Sequence, residues 1–87
     1  MSTENRLAVM AIVVEDRESV TALNGLLHEY GEYIIGRMGF PYRERKISLI
    51  SIALDAPQTV ISAFAGKIGN LQGVSVRTAF SRVDSAT

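Results

Sequence analysis

Two segments of the chain are almost wholly apolar, and both predict strands that are covered on two faces. Arg6 to Val14 is rich in β-branched residues, and Ile47 to Leu54 alternates large residues with small or polar ones. In the second segment the larger even-numbered residues, such as Ile50 and Ile52, would share one face. Both patterns predict central strands of a sheet.

Two weaker apolar segments predict strands at the sheet edges. Tyr33 to Phe40 is interrupted by glycines and an arginine, and Val74 to Ser81 alternates apolar with polar residues. Pro41 to Arg45 predicts the turn that follows the first of these segments.

Apolar residues at helical spacing predict two helices. The first helix should run from Arg17 to Tyr30, after Asp16, whose carboxylate is a good N-cap. The second should open at Asp55-Ala56-Pro57, because proline suits a first turn, and should end at Gly69.

The resulting order, β-α-β-β-α-β, is that of a ferredoxin-like α+β fold. Its four-stranded antiparallel sheet has the order 4-1-3-2, which places the two apolar strands in the centre and both helices on one face. The 87 residues contain no linker or low-complexity tract, so one domain is predicted over 1–87, with a core of about 6–82. The tail from Asp84 to Thr87 should fray.

The sheet face that the helices leave uncovered is predicted to be uncharged. Leu49, Ser51 and Ala53 would lie on it, together with alternate residues of the first strand. Because so small a chain is marginally stable alone, such a patch favours association. We expect a homodimer or tetramer with these three residues in its interface. The alternative is an ordinary sheet face exposed to water.

Composition and charge remove several classes of function. The chain has no cysteine and a single histidine, His28, so we expect no metal, no cofactor and no thiol chemistry. Nine basic and nine acidic residues give no net charge to hold nucleic acid or an anionic membrane. The longest apolar run, Leu7 to Val14, is far shorter than the roughly 20 residues of a membrane span. We therefore expect a soluble cytoplasmic protein.

No catalytic set of residues is evident, so the chain is not expected to be an enzyme. His28 has no partners for a Ser/His/Asp arrangement. Gly66-Lys67-Ile68-Gly69 ends a helix, whereas a phosphate loop precedes one.

Arginines and aromatic residues near the second strand suggest a site for a small anionic ligand. The candidate residues lie on this strand, in its turn and at the end of the second helix: Arg37, Gly39, Phe40, Tyr42, Arg43 and Lys67. Arg37 and Arg43 offer planar donors to a carboxylate or phosphate, and Lys67 is a separate, weaker candidate. The alternative is that both arginines pair with nearby glutamates and that the glycines mark a β-bulge.

Four stretches carry a resemblance to a known family: Ala11 to Arg17, Arg37 to Arg43, Ala65 to Gly69 and Gly73 to Arg77. In order and spacing they resemble the iron-only hydrogenase system regulators. The resemblance covers roughly residues 6–82 and implies a regulatory ferredoxin-like domain. Such domains are similar to ACT domains and to the metal-sensing half of nickel-responsive repressors.

The chain departs from those related domains where they bind their ligands. It lacks the several histidines of the repressors and their DNA-binding segment, and Glu15-Asp16 stands where many ACT domains have a glycine. Neither nickel sensing, autonomous DNA binding nor amino-acid binding is therefore expected. The resemblance implies a non-catalytic regulatory module that oligomerises and binds a small ligand or a partner protein. The alternative is an assembly partner with no ligand of its own.

Overall fold

The computed structural model describes residues 4–82, and these form one antiparallel sheet with two helices on one face. The elements in chain order are β1 (Asn5–Val14), α1 (Val20–Glu29), β2 (Ile34–Tyr42), β3 (Ile47–Pro57), α2 (Gln58–Gly69) and β4 (Val74–Phe80). The strand order is β2-β3-β1-β4, which is 4-1-3-2 in reverse. This confirms the ferredoxin-like α+β fold, with the two apolar strands in the centre. The predicted fraying tail lies outside the described residues.

The core lies between the helices and one face of the sheet. It contains alternate residues of the two central strands and one stripe from each helix, among them Met10, Ile12, Ile52, Leu54, Leu23, Ile61, Phe64 and Ile68. The even-numbered residues of β3 therefore face the helices, as predicted. Within residues 4–82 no helix has the length and hydropathy needed to cross a membrane.

β2 and β3 are both longer than their apolar patterns predict. β2 continues through Pro41 to Tyr42, so the predicted turn at Pro41 is wrong and the connection is residues 43–46. Pro41 is tolerated because β2 is an edge strand, where a missing N–H leaves no neighbour unpaired. β3 continues through Asp55-Ala56-Pro57, which was predicted to open the second helix, because these residues pair with the first residues of β1. α2 therefore begins at Gln58.

The start of the first helix is tied to the loop before β4. Arg17–Ser19 forms a 3-10 turn rather than the predicted first α-helical turn, and the Asp16 carboxylate caps it by accepting from the Glu18 N–H at 2.9 Å. The buried Ser19 hydroxyl donates to the Gln72 carbonyl at 2.6 Å. These bonds hold the turn at the end of the sheet where β1 stops.

Candidate functional site

The strand register brings alternate residues of all four strands to the sheet face opposite the helices, here called the open face. The residues on it are Leu7, Val9, Ala11 and Val13 of β1, Met38, Phe40 and Tyr42 of β2, Ile47, Leu49, Ser51, Ala53 and Asp55 of β3, and Ser75, Arg77 and Ala79 of β4. Leu49, for example, pairs with Val13 on one side and Phe40 on the other. The predicted trio at 49, 51 and 53 therefore lies in the middle of this face.

The open face exposes large apolar side chains with almost no charge among them. Met38 is 60% exposed, Phe40 55% and Leu49 43%. With Leu7, Val9 and Tyr42 these side chains present on the order of 500 Å², which is at the upper end for the largest apolar patch of a typical monomer. In the set that defines the face, the charged residues are Arg77, on the edge strand β4, and Asp55, which pairs with Leu7 toward one end of β3.

Sequence reasoning missed the share of the open face that β2 supplies. Met38, Phe40 and Tyr42 alternate at the period of a strand and pair with β3 residues of the open face or its margin. Met38 and Phe40 fell within the predicted strand, but the glycines and Arg37 around them obscured the alternation, and Pro41 placed Tyr42 in the turn. Phe40, predicted to line a ligand site, lies on the open face opposite Leu49.

The remaining candidate ligand residues do not form one site. Gly39 lies on the helix side of β2 opposite Ile50, where an added Cβ would meet only the Ile50 side chain at 4.0 Å. Arg37 lines a cleft of about 440 Å³ beside His28 on α1. Tyr42 and Arg43 line a different cavity, at the turn end of the β2–β3 hairpin.

Lys67 is engaged within the helix layer. Its Nζ lies 3.3 Å from a carboxylate oxygen of Glu29 and 5.1 Å from the centre of the Tyr30 ring. The Tyr30 hydroxyl and, next to it, the Glu29 carboxylate raise the pKa of Lys67. Lys67 therefore joins the ends of α1 and α2 rather than pointing to a cavity shared with Arg43.

The cavity at the turn end of the hairpin, here called the hairpin cavity, has a volume of about 520 Å³. It is lined by residues of the 3-10 turn and of the hairpin: Arg17, Pro41, Tyr42, Arg43, Lys46, Ile47 and Ser48. Three of these are cations and none is a carboxylate. A hydrogen bond to Glu44, with some burial, raises the pKa of the Tyr42 hydroxyl, so Tyr42 is neutral at physiological pH.

Sequence reasoning did not connect Arg17 and Ser48 with this site. Val14 at the end of β1 pairs with Ser48 at the start of β3, so the chain leaves β1 beside the hairpin and brings Arg17 to it. That pairing is a long-range property of the sheet register. The arginines nearby in sequence gave no sign of it.

The alternatives to a ligand site are that the arginines pair with glutamates and that the glycines mark a β-bulge. In the part of the chain that the structure describes, a bulge is present but those pairs are not. Among residues 4–82 the ion pair present is Lys67–Glu29, so neither Arg37 nor Arg43 is paired with a glutamate. A bulge does occur, between Ile34 and Gly36, whereas Gly39 is in regular register. The same stretch of chain holds no cluster of three or more metal-ligating side chains.

Comparison with known proteins identifies relatives of the whole domain. Residues 6–78 match the family model TM1266-like, described as an iron-only hydrogenase system regulator. The solved structure of the uncharacterized protein TM1266 from Thermotoga maritima is 39% identical and superposes with a TM-score of 0.86, covering 91% of this chain and 100% of that one. No curated protein matches.

Two more distant structures share the fold alone. The C-terminal domain of the MgtC protein from Mycobacterium tuberculosis is 11% identical with a TM-score of 0.66, over 100% of this chain and 99% of that domain. A formyltetrahydrofolate deformylase from Pseudomonas putida is 11% identical with a TM-score of 0.61, over 84% of this chain and 28% of the enzyme. The extent of the family match and the identity to TM1266 establish that the chain belongs to the TM1266-like family of iron-only hydrogenase system regulators.

Proposed function

We propose that this chain is a non-catalytic regulatory module of an iron-only hydrogenase system, which associates through its open face and responds to a small anionic ligand or a partner protein. The family supplies the regulatory role. The observation that supports association is the open face, which is largely apolar over β1, β2 and β3 while the helices cover only the opposite side.

The occupant we propose for the open face is a second copy of the chain. A two-fold contact places the same patch on both sides, so a patch must be complementary to itself. The open face meets that condition, because its centre holds small and large apolar residues and its charged residues, Asp55 and Arg77, lie toward its margins. Standard interfaces bury roughly 800 Å² per partner, and the exposed apolar side chains of the open face supply on the order of 500 Å² toward that area.

Association by addition of strands at the β2 edge is a poorer alternative. The bulge between Ile34 and Gly36 breaks the edge ladder near its start, and Pro41 lacks an N–H near its end. Both features are ones that natural edge strands use against pairing. The face of the sheet is therefore preferred to the β2 edge as the surface for a partner copy.

A thermal-shift series with small anions tests the ligand-responsive part of this function. A ligand that binds only the folded chain raises the unfolding temperature by mass action, and the rise grows with ligand concentration. We expect such a rise for at least one class of small anion. If no anion shifts the transition, and the chain instead forms a stoichiometric complex with a defined protein of the hydrogenase system, the assembly-partner alternative is correct.

A further inference from the structure

We infer that the hairpin cavity is a binding site for a small phosphorylated metabolite, with Arg17, Arg43 and Lys46 as the residues that contact the phosphate. The inference rests on the proposed ligand response and gives that ligand a chemical class. It concerns a cavity formed within one copy of the chain, so it can fail while association through the open face stands.

The charge of the cavity wall favours a dianion. Arg17, Arg43 and Lys46 line one cavity, and within residues 4–82 no carboxylate forms an ion pair with any of them. Three cations at one cavity repel one another, and a bound anion relieves that repulsion. A single carboxylate would balance one charge, whereas a phosphate monoester balances about two and offers three oxygens to arginine and lysine donors.

The cationic side chains come from two separate segments that the fold holds together. Arg17 belongs to the 3-10 turn after β1, and Arg43 and Lys46 belong to the turn between β2 and β3. Ser48, at the start of β3, adds a hydroxyl to the same wall. Donors from two segments can contact a phosphate group from two sides of the cavity.

The backbone at Lys46 is a second observation that points to function. Its φ is +56°, and among residues 4–82 it is the one position other than glycine with a positive φ. Glycine adopts that conformation without strain and is common at such turn positions. A lysine at this position makes the turn less stable than a glycine would, and residues with such strained backbone conformations cluster at ligand sites. A phosphate-binding side chain at 46 accounts for that choice.

The size and apolar part of the cavity indicate a ligand larger than inorganic phosphate. About 520 Å³ lies within the range of roughly 300–1,000 Å³ seen for small-molecule sites. Pro41, Tyr42 and Ile47 supply apolar contact beside the cations. This composition suits a phosphate group joined to a compact organic body.

The test measures binding at low ionic strength by thermal shift and calorimetry. The probes are AMP, glucose 6-phosphate, phosphoenolpyruvate and pyridoxal phosphate. Adenosine is the control for the organic part of AMP without its phosphate, and citrate is the control for negative charge without phosphate. We expect at least one phosphate ester to raise the unfolding temperature, with adenosine inactive and citrate much weaker. If none of the four esters shifts the transition, or citrate equals the best of them, the phosphate assignment is wrong.

Variants in the same turn provide the matched comparison. Arg43→Gln and Arg17→Gln should each weaken binding of the active ester at least tenfold, whereas Arg45→Gln, two residues from Arg43 but outside the cavity wall, should leave it within about twofold. Lys46→Gly should weaken binding while the unliganded protein unfolds at the same or a higher temperature. Equal losses at Arg43 and Arg45, or full binding by Lys46→Gly, would overturn the site.

The same experiment separates this inference from the proposed function. If a non-phosphorylated anion shifts the transition and Arg43→Gln has no effect, the ligand response survives but the hairpin cavity is not its site. If no probe binds and the protein still associates through the open face, only the ligand class and cavity are rejected.

Discussion

Gly73 lies directly against Asp16, with no room for a side chain between them. A Cβ at position 73 would lie 2.6 Å from the Asp16 Cβ and 3.0 Å from the Asp16 backbone nitrogen. The Gly73 carbonyl also accepts the Glu15 N–H at 2.7 Å. This contact fixes the chain after β1 to the chain before β4, and it thereby sets the position of Arg17 at the hairpin cavity.

Gly73→Ala should destabilise the fold by about 2–4 kcal/mol, because the new methyl group meets backbone atoms and the φ of +70° is strained for any L side chain. Urea unfolding followed by circular dichroism measures the change. An alanine variant as stable as the parent protein would show that the two loops do not pack as described.

Gly66→Ala and Gly25→Ala make the same change as Gly73→Ala but on the two helices, and they serve as its controls. Both glycines are exposed in helix interiors with nothing within 4 Å of a new Cβ, so alanine should stabilise the chain by about 0.5–1 kcal/mol. The same urea unfolding applies. A loss of stability at either position would mean that something packs on the outer helix surface.

Most of the fold follows from patterns of short range. The apolar segments at 6–14 and 47–54 predicted the central strands, and Asp16 predicted a cap that the structure contains. The errors lie at Pro41 and Pro57, where proline suggested that a strand had ended. In both cases strand pairing extends the element, because an edge position or a strand end tolerates a residue without an N–H.

The candidate ligand site was less predictable. Tyr42 and Arg43 were identified from local chemistry and do line one cavity. Arg37 lies in the cleft beside His28, because strand alternation turns it to the other face of β2 from Tyr42. Lys67 lies in the helix layer, where it pairs with Glu29. Arg17 reaches the cavity only through pairing between residues more than thirty positions apart, which no local pattern reveals.

The Tyr42 hydroxyl should titrate above its ordinary pKa of 10.0, since its hydrogen bond to Glu44 and some burial favour the neutral form. The hydrogen bond between Tyr42 and Glu44 contributes to the free energy of unfolding at lower pH. That contribution is lost as the pH rises through the raised pKa of Tyr42. Glu44→Gln should lower this pKa toward 10.0. Tyrosinate absorbance measures it, with Tyr33→Phe and Tyr30→Phe to assign the transition. An unchanged transition in Glu44→Gln would contradict the bond.

The contact across the open face can be tested with two alanines. Ala53 lies on the open face, and Ala63 is exposed on the outer side of α2. In a symmetric contact Ala53→Glu places two like charges together, whereas Ala63→Glu leaves that contact alone. Leu49→Glu should act as Ala53→Glu does, and circular dichroism should show all three variants folded.

Light scattering on the unaltered chain and on these variants, at tens of micromolar, tests the central claim most directly. The account predicts a dimer or tetramer for the unaltered chain and for Ala63→Glu, and a smaller species for Ala53→Glu and Leu49→Glu. A monomer for the unaltered chain would contradict association through the open face, and so would dissociation by Ala63→Glu with Ala53→Glu unaffected.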